Sequence, residues 1–415
     1  MQMLKPVSTL LVSLMLGFSA GALQLQSACY YNVTSKEHND TDPNKKIEIA
    51  SLSKILTSHW ALAKLGLGFR FTTKLHITPV DDNTYDLHFE GGFDPVFSRD
   101  RLQYVIALLN NNKISQLRHI TFDENFIFVD NLTMMASSDS FPHDPSSPRT
   151  KNNLTQALAK FINSYAQTRK RALDLYRVNL PETIKIKHKD LAYKSKADFQ
   201  AAANERLIEI QSIPLKEILS EMNQHSNNHI ADFLFQYLGS AKAYPGFVQK
   251  TLSVDLQNFE IRNGSGNPIR DPAGNKFYNS TSCAMIISVL SDVKTILGRS
   301  QLGLESIFAT VGVDSDAKDR SPVSSNYSSP ITDRTVVAKT GTIDPTIGLA
   351  GSILTKKGDI LFAILYGTDG PKEWKQARVK ILEDITTVLE KNEADQITPK
   401  DQLFLSFDHL ALKKK

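Results

Sequence analysis

Apolar positions along this chain recur in places every second residue and in places every third or fourth, and the changes of period mark out its elements. Residues 27–35, "SACYYNVTS", alternate and are rich in strand formers, and the "KEHNDTDPNKK" behind them is a polar turn. From Ser51 the apolar residues Leu52, Ile55, Leu56, Trp60 and Ala63 follow helical spacing until Gly66, and the scarcity of charge between them predicts a helix buried on most sides. Strands are expected in "FRFTTKLHITPV", "TYDLHFEGGFDPVF" and "HITFDENFIFVD" (residues 69–130), with a helix near Asp100 to Asn111. A polar, Pro- and Ser-rich loop at 137–150 comes next, then a helix over 153–176, then a lysine-rich run over 184–196 that reads as a solvated face.

Helical spacing returns in two adjacent segments, "PLKEILSEMNQHS" and "NNHIADFLFQYLG". After them come "FEIRNGSGNPIRDPAG", read as a strand ending in a Gly-rich turn, and the helix "TSCAMIISVLSDVKTIL". Two strong strand segments, "RTVVAKTGTI" and "LAGSILTKKGDILFAILYG", precede an amphipathic helix near Glu373 to Glu390. The two ends of the chain share one strand-and-helix pattern and the middle interrupts it. The architecture expected is therefore α/β: a mixed sheet with helices over 23–75 and 205–390, an inserted smaller domain over 76–204, and a tail over 391–415. In the tail, Leu403, Phe404, Phe407, Leu410 and Ala411 share one face if it is helical, with three lysines behind them. Such a helix fits a membrane surface or the protein's own surface, and its shortness favours the latter.

At 415 residues and 41% apolar the chain can bury a large core, so it is neither disordered nor fibrous. Its formal charge of +4 is small and its basic residues are scattered, which argues against nucleic acid as a partner. Residues 1–22 carry one charge, Lys5, an apolar run from Leu10 to Phe18, and Ala20-Gly21-Ala22, the pattern of a cleaved export leader. The run is shorter than the roughly 20 residues that span a bilayer. Cys29 also sits where a lipoprotein signal would end, but Gln26 fits that pattern poorly. With only Cys29 and Cys283, no metal site is expected, nor any cofactor; a disulfide and two free thiols both stay open.

Candidate chemistry centres on Ser51 and Lys54, one helical turn apart at a helix start. A serine hydroxyl becomes a nucleophile when a base takes its proton, and a lysine serves as that base once desolvation keeps it neutral. S-x-x-K also occurs at Ser291/Lys294, within a helical run, and at Ser315/Lys318, in a polar segment; Ser51 alone combines a helix start with an apolar surround. S-x-N occurs at Ser226-Asn227-Asn228, Ser265-Gly266-Asn267 and Ser324-Ser325-Asn326. The first falls at a break between two helices, where both side chains can enter a cleft, whereas turn chemistry accounts for the others. K-T-G occurs once, as Lys339-Thr340-Gly341-Thr342 on a predicted strand. A strand edge can pair with an extended peptide, Lys339, Thr340 and Thr342 suit a carboxylate, and Gly341 leaves room for the substrate backbone. S-x-x-K, S-x-N and K-T-G in this order mark a serine acyl-transfer site.

With "IASLSKIL", "MNQHSNNHIADFLFQYLG", "RNGSGNPIRDP" and "VVAKTGTIDPTIGLAG" in order, the chain resembles the class C low-molecular-mass penicillin-binding proteins, serine-type D-Ala-D-Ala carboxypeptidases and endopeptidases, over about 28–125 and 205–385. The resemblance implies the DD-peptidase fold, Ser51 as acylated nucleophile, Lys54 as base, and Ser226 and Asn228 as proton shuttle and substrate positioner. It also implies that Lys339 and Thr340 hold a terminal carboxylate and that the N–H groups of Ser51 and Thr342 form the oxyanion hole. The substrates implied are peptidoglycan stem peptides and cross-links, with β-lactams as inhibitors, in the periplasm or cell wall.

Ser226 stands 175 residues after Ser51, a short interval for relatives with two nested inserts, so the insert is expected to be reduced and the cleft open. An open cleft favours cross-linked substrates, hence endopeptidase activity. The middle residue of S-x-N, Asn227, departs from the family and need not face the cleft. A serine β-lactamase would need a deacylating base; Glu260, 34 residues after Ser226, lies in no suitable loop. A non-hydrolytic peptidoglycan- or β-lactam-binding protein on the same fold is the other reading.

Overall fold

The computed structural model describes residues 23–130, 148–313, 321–398, 404–408 and 412–413. The leader, nearly all of the 137–150 loop, the Ser315/Lys318 pair and tail residues Leu403, Leu410 and Ala411 lie outside them. The main strands are β1 (Gln24–Asn32), β2 (His38–Thr41), β3 (Thr72–Pro79), β4 (Tyr85–Glu90), β5 (Gln116–Phe122), β6 (Lys187–Tyr193), β7 (Arg206–Gln211), β8 (Ala309–Thr310), β9 (Val336–Ile343), β10 (Thr346–Ile353), β11 (Ile360–Gly367) and β12 (Leu412–Lys413). The helices are α1 (Ser53–Leu65), α2 (Arg99–Asn111), α3 (Pro148–Tyr176), α4 (Leu215–Gln224), α5 (Asn228–Tyr237), α6 (Ser240–Leu252), α7 (Cys283–Gly298), α8 (Pro322–Tyr327) and α9 (Pro371–Asn392). Among the described residues no helix is long and apolar enough to cross a membrane.

The first sheet is antiparallel, in the order β8-β9-β10-β11-β1-β2. Its middle strands read as unbroken apolar runs because both faces are covered. Leu361, Ala363 and Leu365 of β11 pack in one core with α1, α4, α5 and α7. The alternate residues Phe362 and Ile364 pack in another with Ala377, Ile381 and Ile385 of α9 and with Tyr327 of α8. The α1 helix is buried along Ser53 to Leu62, as its low charge predicts. Cys29 of β1 and Cys283, the first residue of α7, form a disulfide.

The second sheet, in the order β12-β7-β3-β4-β5-β6, runs through residues 72–211 and is closed by the tail. Leu75, Ile77, Leu87 and Phe89 bury one face against Leu102 and Val105 of α2 and Leu154 and Leu158 of α3. Part of the lysine-rich run becomes β6, where Lys187, Lys189 and Asp190 are exposed and Leu191 is buried.

Two expectations need correcting. "FEIR" forms only an isolated bridge, Glu260 to Ser280, because the next residues turn in toward α5 and the start of α1. Among the described tail residues the expected helix is absent: 404–408 form no regular element and bend at Ser406, and 412–413 pair with β7. Leu405 and Phe407 are fully buried, Phe407 stacked on Tyr104 at 4.5 Å between centroids. Arg70 grips Asp408 through both carboxylate oxygens at 3.2 and 2.9 Å, and buried Arg101 donates to Asp94 at 2.6 Å and to the Ser406 carbonyl at 3.0 Å. Residues 405–408 are all buried, polar and apolar alike, so the tail docks on the protein itself. Phe407→Ala should cost about 3 kcal/mol, read as a lower urea midpoint; an unchanged midpoint would show that the tail contributes nothing to folding.

Candidate active site

Ser51 lies in a short 3-10 turn, Ala50–Leu52, that leads into α1. Ala50 takes a left-handed φ of 46°, an uncommon conformation for a residue with a Cβ. The surroundings hold it there. Ile49 N–H donates to the Asn279 carbonyl at 3.0 Å, Ser53 Oγ donates to the Ala50 carbonyl at 2.7 Å, and Asn279 Nδ2 donates to Ser53 Oγ at 2.9 Å. Gly266, at φ 83°, backs onto this turn so closely that a Cβ would stand 1.8 Å from the Ala50 carbonyl oxygen. Gly341 approaches from β9; a Cβ there would be 2.7 Å from the Ile49 oxygen and 3.0 Å from Leu52 Cγ. A glycine at 341 is thus already required by the close approach of the Ser51 turn, independently of any substrate.

Lys54 is wholly buried, and its Nζ donates to Ser51 Oγ at 3.0 Å, to Asn228 Oδ1 at 2.6 Å and to the Ser265 carbonyl at 2.9 Å. All three acceptors are neutral. Loss of water holds its pKa down to about 7 from an ordinary 10.5, while the Asp232 carboxylate pulls it up. A large fraction of Lys54 is thus the free amine near neutrality, the state in which it can take a hydroxyl proton.

Ser226, Asn227 and Asn228 lie where α4 gives way to α5. Ser226 adopts φ 54°. Asn227 Oδ1 accepts the Ile230 N–H at 3.1 Å and caps α5, so its side chain serves the helix and leaves the cleft to its neighbours. Lys339, buried on β9, donates to Ser226 Oγ at 2.9 Å and to the Thr340 carbonyl at 2.8 Å. Burial, and then the like charge of Lys54, hold its pKa well below the ordinary lysine value. Ser51, Lys54 and Asn228 form one linked set, and Ser226 joins Lys339 beside it. On β9, β8 pairs only with Val337 and Ala338, so among the described residues the edge from Lys339 to Ile343 carries no further strand. Thr340, Gly341 and Thr342 lie along that edge, backed by Leu349, Gly348 and Ile347 of β10.

Two participants escaped the sequence. Ser265 belongs to an S-x-N triplet whose residue types fit an ordinary turn, yet its carbonyl is an acceptor for Lys54. Asp232 stands one helical turn after Asn228 on the same face of α5, and that spacing of a carboxylate in an apolar helix was the available signal. Asp232 Oδ1 accepts the Ser265 N–H at 2.8 Å, so it fixes the carbonyl that orients Lys54. Burial raises the Asp232 pKa and Lys54 opposes this. Glu260, by contrast, is half-exposed and paired with Lys46 at 3.0 Å and with Arg262. The Ser324 triplet lies on α8, where Ser324 Oγ accepts the Gly312 N–H at 3.1 Å.

Acylation of Ser51 by an activated ester should rise with pH through about 7, as Lys54 loses its proton. In Asp232→Asn the carboxylate that raises the Lys54 pKa is gone, and this limb should move to lower pH by about one unit. An unmoved limb would mean that Asp232 serves the fold alone.

The D-Ala-D-Ala carboxypeptidase 3 (S13) family profile matches residues 28–140 and 160–386. A predatory peptidoglycan endopeptidase from Bdellovibrio bacteriovorus is 31% identical over 95% of this chain and all of that one, with a TM-score of 0.86. The same enzyme is known acylated by penicillin G and in complex with an immunity protein. The D-alanyl-D-alanine carboxypeptidase DacB of Haemophilus influenzae is 30% identical over 152 residues, which is 36% of this chain and only 30% of that protein. Penicillin binding protein 4 of Haemophilus influenzae shares the fold, with a TM-score of 0.60 at 18% identity over 88% of this chain and 95% of that one. By the extent of the profile match and the near-complete overlap with the endopeptidase, the chain belongs to the D-Ala-D-Ala carboxypeptidase 3 (S13) family.

Proposed function

We propose that this protein is a peptidoglycan DD-peptidase that acts through a serine acyl-enzyme, with cross-links as its preferred substrates. The observation that carries the reading is a fully buried lysine, near neutral in charge, 3.0 Å from the Ser51 hydroxyl. Lys54 takes the Ser51 proton as Oγ attacks the carbonyl carbon of the penultimate D-Ala. The oxyanion that forms is met by the N–H groups of Ser51 and Thr342. As the C–N bond breaks, the leaving amine takes a proton from Lys54 by way of the Ser226 hydroxyl, and Asn228 keeps Lys54 and the acyl chain in register. Lys339 and Thr340 hold the departing residue's carboxylate, whose negative charge raises the depressed Lys339 pKa and keeps that group an ammonium. Water then attacks the ester, Lys54 accepts its proton, and Ser51 recovers its hydrogen. A β-lactam acylates the same serine.

Preference for cross-links is supported by the short interval between Ser51 and Ser226, by the edge of β9 beyond Ala338, and by the likeness to a peptidoglycan endopeptidase. Export to the periplasm or cell wall is supported by the leader pattern and by the Cys29–Cys283 disulfide, a bond that persists in oxidising compartments.

A fluorescent penicillin should label the protein and fail to label Ser51→Ala, and the same substitution should abolish cleavage of purified cross-linked muropeptides. Monomer release should outpace release of free D-Ala from pentapeptides. The opposite ranking would make the enzyme a carboxypeptidase, and turnover surviving Ser51→Ala would remove the acyl-enzyme.

A further inference from the structure

The segment that supplies the Ser265 carbonyl continues into a ribbon that the catalytic steps do not use. At its base Gly264 packs on α5, where a Cβ would stand 2.1 Å from the Ala231 oxygen, and Gly266 packs on the Ser51 turn. Two short strands follow, Ile269–Arg270 and Lys276–Phe277, paired antiparallel. Their turn is closed by Asp271, which accepts the Asn275 N–H at 2.9 Å and its side-chain amide at 2.8 Å. Two residues beyond the returning strand stands Asn279, whose carbonyl and amide bond to Ile49 and Ser53 on either side of the Ser51 turn. Both feet of the ribbon therefore stand on the active centre.

The ribbon itself is left in solvent with a composition that solvent does not require. Ile269 and Phe277 are 43% and 38% exposed and face each other directly across the pair, so they share one face. The Arg262 guanidinium lies 4.8 Å from the centroid of the Phe277 ring. Arg270 and Lys276, the other directly opposed pair, are exposed and carry like charges on the other face. Like charges directly opposite cost a two-residue ribbon stability, and the Ile269–Phe277 pair that offsets them still leaves much of its apolar surface in water. The only carboxylate in the ribbon, Asp271, is committed to the turn. From Gly266 to Ile269 is three residues, a reach of at most about 10 Å, so the ribbon borders the cleft.

Resting on the peptidase reading above, we infer that the ribbon 268–277 is a docking surface for the part of a cross-linked stem peptide that lies outside the cleft. A stem peptide carries free carboxylates between alanine methyl groups. A cross-link joins two stems, so one meets the cations Arg270 and Lys276 on one face of the ribbon while the other meets Ile269 and Phe277 on the opposite face.

The test compares a large and a small substrate in the full-length protein. Arg270→Glu/Lys276→Glu and Ile269→Ser/Phe277→Ser should each lower kcat/KM on cross-linked muropeptide dimers about tenfold, chiefly through KM. Both should leave the rate of acylation by unlabelled penicillin G unchanged, because that molecule has no second stem to reach the ribbon. In the charge-reversed variant the salt dependence of dimer cleavage should also flatten. Dimer cleavage at the wild-type rate in either variant overturns the assignment of that face. An equal fall in penicillin acylation overturns it too, since the ribbon would then act only by distorting the Ser51 turn. A wild-type protein that penicillin does not acylate would instead sink the peptidase reading.

Discussion

Everything at this site depends on keeping one ammonium group out of water. A buried lysine without compensation costs several kcal/mol and sheds its proton instead. Lys54 is held between these limits. Three neutral acceptors, Ser51 Oγ, Asn228 Oδ1 and the Ser265 carbonyl, satisfy its donors without neutralising its charge, and Asp232 is coupled to it while being hydrogen-bonded to the Ser265 N–H. A carboxylate bonded directly to Nζ would keep the lysine protonated and useless as a base. A wholly apolar surround would leave nothing to orient it.

The rest of the domain supplies the walls of that enclosure. The α1 helix carries Lys54 and is buried on nearly every side, α5 carries Asn228 and Asp232, and β9 closes the remaining face with Lys339. The approach of β9 and of the Ser265 turn to the nucleophile turn is limited by backbone contact, which is why glycine stands at 341 and 266. Left-handed conformations at Ala50 and Ser226 are then the local cost of presenting two hydroxyls to one lysine pair. The second sheet has its own core, and the tail fastens to it through Leu405, Phe407 and the Arg70–Asp408 pair.

The periodicities in the sequence were sufficient for most of the elements, because burial patterns repeat with the geometry of the element that carries them. That holds for α1, for the break between α4 and α5, and for β9 to β11. It failed in the tail, where Leu405 to Asp408 are all buried and Ser406 and Asp408 are held by Arg101 and Arg70, partners more than 300 residues away that no local period reveals. It failed at "FEIR" as well, where strand formers are drawn out of a sheet by the turn that follows them.

What the sequence determined by itself was the chemistry: which serine has a lysine one turn away in an apolar setting, and that S-x-N and K-T-G follow in order. Those are properties of side-chain type and short spacing, and a chain carries both before it folds. Only the tertiary structure decided who faces whom. Asn228 and Ser265 meet Lys54 across separations of 174 and 211 residues. The cysteines are bonded across 254 residues, a pairing that their count alone left open. Gly341 lies against the Ser51 turn, and Asp232 reaches Lys54 through the Ser265 peptide of another segment. Contacts of that kind depend on distances between elements, and no local pattern along the chain encodes them.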